Sequence, residues 1–548
     1  MERRRMRNLM GVALVLLLNS ISTTHHAAQQ QQHLEGNWTG GFWLDGNWVT
    51  VNVRFNRQNE NPGGTADIIF PFYRGRENAI NVALDRVKQT ADGSHFEIPV
   101  GAQKVVFDGR HKDRTISGSY VYDESKGTFG LTHWANVTTD TLEKYYGTYR
   151  VSPDRAISIS QGWGDPQTLI YADYKTGQIG TLWATSENEF FSGAGRGVSF
   201  PVVLSVSFDK DANVKVKKLL WQTENEPKLT AHKIEAKEER INFRNGDITL
   251  GGTLILPVAK ERYPVIIITP GDFGNNRNQL RFFAHNYVSR GIAALVFDSR
   301  GAGESTGVVE SNSFSDLAND VLAIVQFLKT REDINQKQIG LFGFSNSAWT
   351  VSLAASRSKD VSFVILQSFS GVPPWKQESF RAETQLRVDS FPESTVNQGA
   401  DFMRLKFEAA QTGEGWEQIQ KIMNQATSES WLAYTNPPRS LEGLEQFWQR
   451  TATYDPVPAL ENLSIPVLAY WGGKDTYVPV PESIAIFKRA MAKAGNKNQV
   501  VKIYPNGRHD LVEGDSGSPS IGARLKKFPA GFWKMKADWL LRHVSILK

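Results

Sequence analysis

Ile339-Gly340-Leu341-Phe342-Gly343-Phe344-Ser345-Asn346-Ser347-Ala348-Trp349-Thr350-Val351-Ser352-Leu353-Ala354-Ala355 carries an apolar run into a helix-forming run across a short Gly/Ser segment. The stretch reads as strand, tight turn and helix, with Ser345 at the tip. In such a turn the departing helix folds back on the strand that feeds it. A Cβ two residues before or after the tip would then collide with backbone. Gly343 meets that demand and Ser347 comes close to it. Taken alone, the segment also fits an ordinary strand-to-helix connection, so its meaning depends on residues further along the chain.

Two later strands each end in a polar residue of the right kind. Val467-Leu468-Ala469-Tyr470-Trp471 runs into Gly472-Gly473-Lys474-Asp475, which leaves a carboxylate in a loop just past a strand end. Val500-Val501-Lys502-Ile503-Tyr504 runs into Pro505-Asn506-Gly507-Arg508-His509-Asp510, and an amphipathic helix follows from about Phe532 to Leu541. A serine hydroxyl is a poor nucleophile at neutral pH. It needs an imidazole to take its proton, and a carboxylate to fix that imidazole's tautomer and stabilise its charged form. Ser345, Asp475 and His509 supply these in one chain order, each from a loop at the carboxyl end of a strand. Asp510 and Glu482 are rival acids. His232, His285 and His543 are rival bases, but only His509 falls between the last strand and the final helix.

A fourth element lies upstream, where Tyr263-Pro264-Val265-Ile266-Ile267-Ile268-Thr269 ends in the glycine-rich Pro270-Gly271-Asp272-Phe273-Gly274. The oxyanion of an acyl-transfer intermediate needs preorganised donors, usually the N–H after the nucleophile and one from such a loop. The backbone N–H groups of Asn346 and Asp272 are the candidates.

Taken in order, Pro270-Gly271-Asp272, Asp298-Ser299-Arg300-Gly301-Ala302-Gly303-Glu304-Ser305, Gly343-Phe344-Ser345-Asn346-Ser347, Gly472-Gly473-Lys474-Asp475 and Gly507-Arg508-His509 resemble the α/β-hydrolase superfamily. Within it the chain is similar to the serine-aminopeptidase-like and dienelactone-hydrolase-like branches, over a little more than half its length. Two positions depart from the family pattern: Pro270 stands where histidine is usual, and Ser347 where glycine is usual. The resemblance implies an α/β fold, a mostly parallel sheet with helices on both faces. It also implies a serine hydrolase, a carboxylesterase ahead of a peptidase, amidase or acyltransferase. It further implies an acyl-enzyme at Ser345 and a small-molecule or acylated substrate, and the catalytic proposal needs no cofactor. A binding protein that uses this fold only as a scaffold, with β modules holding envelope glycans, is the competing class.

The rest of the chain frames this domain. With 548 residues, about 150 per domain suggests two to four units. Strands at Val265, Ala293, Ile339, Phe363, Val467 and Val500 alternate with helical patterns over 234–548. A hairpin around Asn245-Gly246-Asp247 opens the domain. The interval 373–450 interrupts the alternation with helical periodicity and carries Trp375, Trp416, Trp431 and Trp448. It is expected to be a cap over the site, with its tryptophans selecting the substrate. Before the hydrolase pattern the apolar period is two, as in Val49-Thr50-Val51-Asn52-Val53, which predicts all-β antiparallel modules over 34–140 and 141–225. They look like the lipocalin-like modules ahead of some secreted hydrolases. Thr223 to Lys237 has linker composition, so the β region is expected to be separable from the chemistry.

Arg3, Arg4, Arg5 and Arg7 precede the apolar Leu9 to Leu18, the pattern of a secretory signal peptide over 1–28, too short to stay as an anchor. There is no cysteine, hence no disulfide framework and no lipid attachment site. Secretion or a bacterial periplasm is the expected location. The formal charge of +5 falls to about +2 without the leader, and the cations are scattered, so no nucleic-acid partner is expected. His25, His26 and His33 have no companions at ligand spacing, and no metal is expected. Trp38, Trp43 and Trp48 are read as packing within the first β module rather than as a sugar platform.

Overall fold

The computed structural model describes residues 34–58, 61–71, 78–90, 92–162, 165–224, 226–258, 262–271, 276–308, 312–427 and 429–544. The leader reading at 1–28 falls outside these residues. The chain divides into two compact units, one ending at Trp134 and the other running from Ala135 onward.

The first unit is a nine-stranded sheet of antiparallel pairs built around Gly36–Leu44, with Asn47–Gln58 on one side and Ser125–Trp134 on the other. Alternation of apolar and polar residues puts Phe42, Phe55, Phe96, Phe107 and Phe129 on one buried face. There their rings meet edge-on or stacked. Trp38 and Trp48 are buried while Trp43 is 45% exposed. The first two pack in the core, and Trp43 packs at the rim, edge-on to Trp48 with ring centres 5.4 Å apart.

In the second unit, eight antiparallel strands from Gly147–Ser152 to Leu229–Lys233 form a closed barrel. Its interior is filled by side chains including Tyr149, Ile157, Phe190, Phe208 and Trp221. Closure pairs Tyr149 with Lys233 and Arg150 with His232, so the barrel ends at Lys233 rather than at 225. The linker composition of 223–237 is that of strands exposed on one face: Leu229–Lys233 buries only Ala231.

The hydrolase sheet comes next. Its strand order is Ala236–Asn245, Ile248–Pro257, Ala293–Phe297, Tyr263–Thr269, Ile334–Phe344, Phe363–Gln367, Val467–Gly472 and Gln499–Tyr504. The first two strands form the expected hairpin and join the rest antiparallel. All later pairings are parallel. Strands buried on both faces are apolar throughout, and successive side chains enter opposite cores. Val265 and Ile267 join one core, Ile266 and Ile268 the other. Helices Phe314–Lys329, Asn346–Ser356 and Val480–Lys493 cover the first face. A reciprocal capping box between Ser313 and Asp316 starts the first of them.

Helices Arg281–Val288 and Phe532–His543 cover the second face, and the barrel completes it. Leu169 and Tyr171 point into the barrel, while Ile170, Ala172, Tyr174 and Ile179 enter the hydrolase core beside Phe282 and Trp533. Backbone bonds lock the join: Ile179 N–H donates to Lys526 O at 2.9 Å and Phe528 N–H to Gly177 O at 2.8 Å. The expected separability of this β module is thus corrected. Leu169–Asp173 is buried at every residue, the mark of a strand covered on both sides. Among the described residues no helix is long and apolar enough to cross a membrane.

This packing has two measurable consequences. A fragment beginning at Ile234 bares Phe282, Phe283 and Trp533 and should aggregate on size exclusion, whereas one beginning at Ala135 should elute as a folded species. A monodisperse, folded 234–548 fragment would show the barrel to be dispensable.

Lys536 gives the second. It is fully buried, its Nζ has no hydrogen-bond partner, and it lies 4.4 Å from the ring centres of Phe532 and Trp533 and 4.7 Å from that of Phe283. Aromatic faces offset about 2 kcal/mol of a desolvated cation, less than the several kcal/mol that burying an ammonium costs. Burial therefore holds Lys536 well below the ordinary lysine range. The unfolded chain binds a proton here that the folded chain does not, so this residue makes stability rise with pH up to the unfolded lysine's pKa. Lys536→Met should raise the unfolding midpoint by several degrees and flatten that slope. An unchanged midpoint and slope would mean that the ammonium is solvated.

Candidate active site

The strand Ile334–Phe344 delivers Ser345 and the helix Asn346–Ser356 leaves directly after it. Ser345 has φ 55° and ψ −121°, a backbone conformation that costs a non-glycine residue of the order of 1–3 kcal/mol. The reversal needs close backbone contact. A Cβ at Gly343 would lie 2.6 Å from Ala348 Cα and from Ser347 O. Ser347 fits where glycine is usual because its hydroxyl accepts from Phe344 N–H at 2.8 Å and donates to Phe344 O at 3.0 Å, tying the turn across its base.

The next two loops meet in the same way. A Cβ at Gly472 would lie 2.2 Å from Arg508 O, and Lys474 N–H donates to Gly507 O at 2.9 Å. This contact sets Asp475 against His509. Asp475 Oδ2 lies 2.8 Å from His509 Nδ1, and His509 Nε2 lies 2.9 Å from Ser345 Oγ. The other carboxylate oxygen accepts from Tyr477 N–H at 2.8 Å and Val478 N–H at 3.1 Å, so the buried acid is fully engaged. Tyr477 stacks on the imidazole with ring centres 4.6 Å apart, and Ser368 Oγ donates to His509 O at 2.6 Å. Burial pushes the Tyr477 phenol up.

The rivals fall elsewhere. Glu482 is exposed in the first turn of Val480–Lys493, and His232 is exposed on the last barrel strand. His285 is buried beside Glu238, and His543 bonds Trp539 O at 2.7 Å. Asp510 points away from the imidazole, with Oδ2 accepting from Arg196 Nη1 at 2.8 Å and Oδ1 from Val512 N–H at 3.1 Å. Burial works to raise its carboxyl, but Arg196 and Arg508 outweigh that and hold it below the usual range.

Asn346 begins the helix next to Ser345, so its N–H belongs to the positive end of that helix. Asp272 lies outside the described residues, although Gly271 before it lines the site.

Ser345 and His509 open into a cavity of about 670 Å³. Of the helices in the cap interval, Pro374–Val388, Glu393–Thr412, Trp416–Gln425 and Leu441–Phe447, the first lines it through Gln377, Glu378 and Arg381, and Asn436 joins them. Burial works to raise Glu378, but its ion pair with Arg381 at 2.9 Å and the charge of Lys406 keep it below the usual carboxylate range. The cap tryptophans are not in this wall. Trp416 and Trp431 pack in the cap's own core with Phe402 and Ile419, and Trp375 and Trp448 pack around Phe407. They were expected to select substrate because they are the bulkiest residues in the interval. Bulk instead places them where the small cap needs filling.

Arg196, from the barrel turn Gly195-Arg196-Gly197, also lines the cavity. It and its partner Asp510 are 314 residues apart, and no local pattern marks it. Ser368 was missed for the same reason. Among the described residues no group of three or more His, Asp or Glu side chains is placed to hold a metal ion.

Residues 245–509 match the family model of X-Pro dipeptidyl-peptidase (S15 family). An uncharacterized 31.7 kDa protein in the traX-finO intergenic region of Escherichia coli is 23% identical over 267 residues, 48% of this chain and 89% of that protein. Esterase EstD of Thermotoga maritima is 20% identical over 290 residues, 51% of this chain and 63% of the esterase. A Pyrococcus furiosus esterase of solved structure is 17% identical, covering 57% of this chain and 92% of its own with a TM-score of 0.36. In residues 245–509 the strand order and the turn at Ser345 are those of the α/β-hydrolase superfamily. The chain is a hydrolase with an all-β N-terminal region.

The Arg196–Asp510 pair generates a kinetic expectation. By anchoring the residue after His509, Arg196 holds the imidazole in line. Displacement by about 1 Å can cost about 100-fold. Arg196→Met should lower kcat about 10- to 100-fold while changing KM less, and Arg196→Lys should recover part of it. A normal kcat in Arg196→Met would show that the His509 loop holds itself.

Proposed function

We propose that the protein is an exported serine carboxylesterase. The observation that carries this reading is the continuous Asp475–His509–Ser345 hydrogen-bonded chain, 2.8 and 2.9 Å, at the floor of a cavity. Ser345 Oγ attacks the ester carbonyl carbon while His509 Nε2 takes the hydroxyl proton. The oxyanion sits on Asn346 N–H and on a second donor proposed at Asp272. Collapse breaks the bond to the alcohol oxygen, which receives the proton from His509, and leaves the acyl group on Ser345. Water then attacks, its proton passing through His509 to Ser345 Oγ as the carboxylic acid leaves. Asp475 holds Nδ1, fixing the tautomer that leaves Nε2 free to accept.

A second reading, a peptidase or amidase on the same residues, is favoured by the family match over 245–509. Initial rates on p-nitrophenyl esters and on Xaa-Pro p-nitroanilides separate the two. Ester turnover abolished in Ser345→Ala is the expected result, with anilides far slower. The reverse order would replace the esterase by a peptidase. His509→Ala should lower kcat by about four to six orders of magnitude, and Asp475→Asn by about four, with little change in unfolding midpoint. Near-normal turnover in Asp475→Asn would remove the acid role from this residue. Export rests on the arginine-rich, apolar start of the sequence, and the amino-terminal residue of protein recovered from the periplasm tests it.

A further inference from the structure

Two compartments meet at Asn346, and they differ in chemistry. The first, about 670 Å³, holds Ser345 and His509 and has a mixed wall, in which Arg196, Arg381 and Asp510 stand beside Phe282, Phe283 and Phe344. The second, about 420 Å³, runs from Asn346 beneath the cap between Phe314, Trp349, Pro374, Leu444 and Phe447. Gln377, Glu378 and Asn436 line both and form the boundary.

The second compartment's charged side chains are occupied or peripheral. Lys406 donates to Thr435 O at 2.9 Å and Asn436 O at 2.8 Å. Burial, with Glu378 opposing it, brings its ammonium down to about 8. Glu378 is paired with Arg381, and Arg439 is exposed at the outer rim. What the compartment offers a ligand is therefore apolar surface. The cap and the helix Asn346–Ser356 supply it jointly, through Leu444 and Phe447 on one side and Trp349 on the other.

The direction of the chemistry assigns the two compartments. His509 must return its proton to the departing oxygen, so the alcohol half occupies the compartment that His509 lines. The carbonyl oxygen faces Asn346 N–H, and the acyl half extends on the far side of Asn346. Resting on the serine-esterase reading, we propose that the substrate is an ester joining an apolar acyl chain, seated between Leu444, Phe447 and Trp349, to a more polar, hydroxyl-bearing alcohol. Cleavage breaks the bond between acyl carbon and alcohol oxygen. The acyl chain stays on Ser345 in the apolar compartment while the protonated alcohol leaves through the mixed one.

The test uses the full chain and p-nitrophenyl esters from acetate to octanoate, with Ser345→Ala as blank. Burial of each methylene should raise kcat/KM about fourfold through the first members. Leu444→Trp fills the compartment and should lower the octanoate-to-acetate ratio at least tenfold. Linear alkylboronic acids, which form their adduct on the nucleophilic oxygen, give a measurement that needs no variant: inhibition of the wild type should tighten from butyl to octyl. For the polar half, octanoylglycerol should be cleaved at least tenfold faster than octyl octanoate. Ser345-dependent hydrolysis with a flat chain-length series, a flat boronate series or no preference for the glycerol ester overturns the proposal and leaves the esterase reading standing. Absence of Ser345-dependent ester hydrolysis overturns both.

Discussion

The reversal of the chain at Ser345 is the constraint on which the rest of the site depends. A parallel strand must hand over to a helix within one residue, and the serine takes a strained backbone conformation to do so. That strain is held by the sheet on one side, where Ser345 N–H donates to Gln367 O at 2.9 Å, and by the Ser347 hydroxyl on the other. Because the neighbouring strands run parallel, their carboxyl ends emerge at the same edge. The loops after Gly472 and Tyr504 therefore reach the serine without long excursions. Their own backbone contact at Gly472 then sets the acid against the base.

Around this centre the chain adds two walls from different sources. The cap is a small helical body with its own core. It presents polar residues of Pro374–Val388 to the nucleophile and apolar residues of Leu441–Phe447 beside it. The barrel covers one face of the hydrolase sheet and sends Arg196 to the residue after His509. A β module that looks like an appendage in sequence is in this way part of both the core and the active-site lining. Its buried strand Leu169–Asp173 has one row of side chains in each of two cores.

The parts legible in the sequence were those set by local physics. The inner parallel strands were marked by apolar runs buried on both faces, the edge strand Gln499–Tyr504 by a run that leaves Val500 and Ile503 exposed, the hairpin by Asn245-Gly246-Asp247, and the Ser345, Asp475 and His509 loops by their positions at strand ends. Side chains whose role depends on a distant partner carried no such mark. Arg196 is an arginine between two glycines until Asp510 is placed beside it, and Trp431 is a large aromatic until the cap core closes around it. The barrel's attachment had a signal that alternation obscured. Leu169-Ile170-Tyr171-Ala172 is apolar without interruption, unlike a strand with one wet face.

Reaction of the full chain with a fluorophosphonate, read by intact mass and by mapping the labelled peptide, probes the central claim most directly. Stoichiometric phosphonylation of Ser345, lost in Ser345→Ala and slowed by orders of magnitude in His509→Ala, is the expected result. A native protein that takes up no label, or takes it up on another residue, would mean that the chain Asp475–His509–Ser345 does not activate a nucleophile.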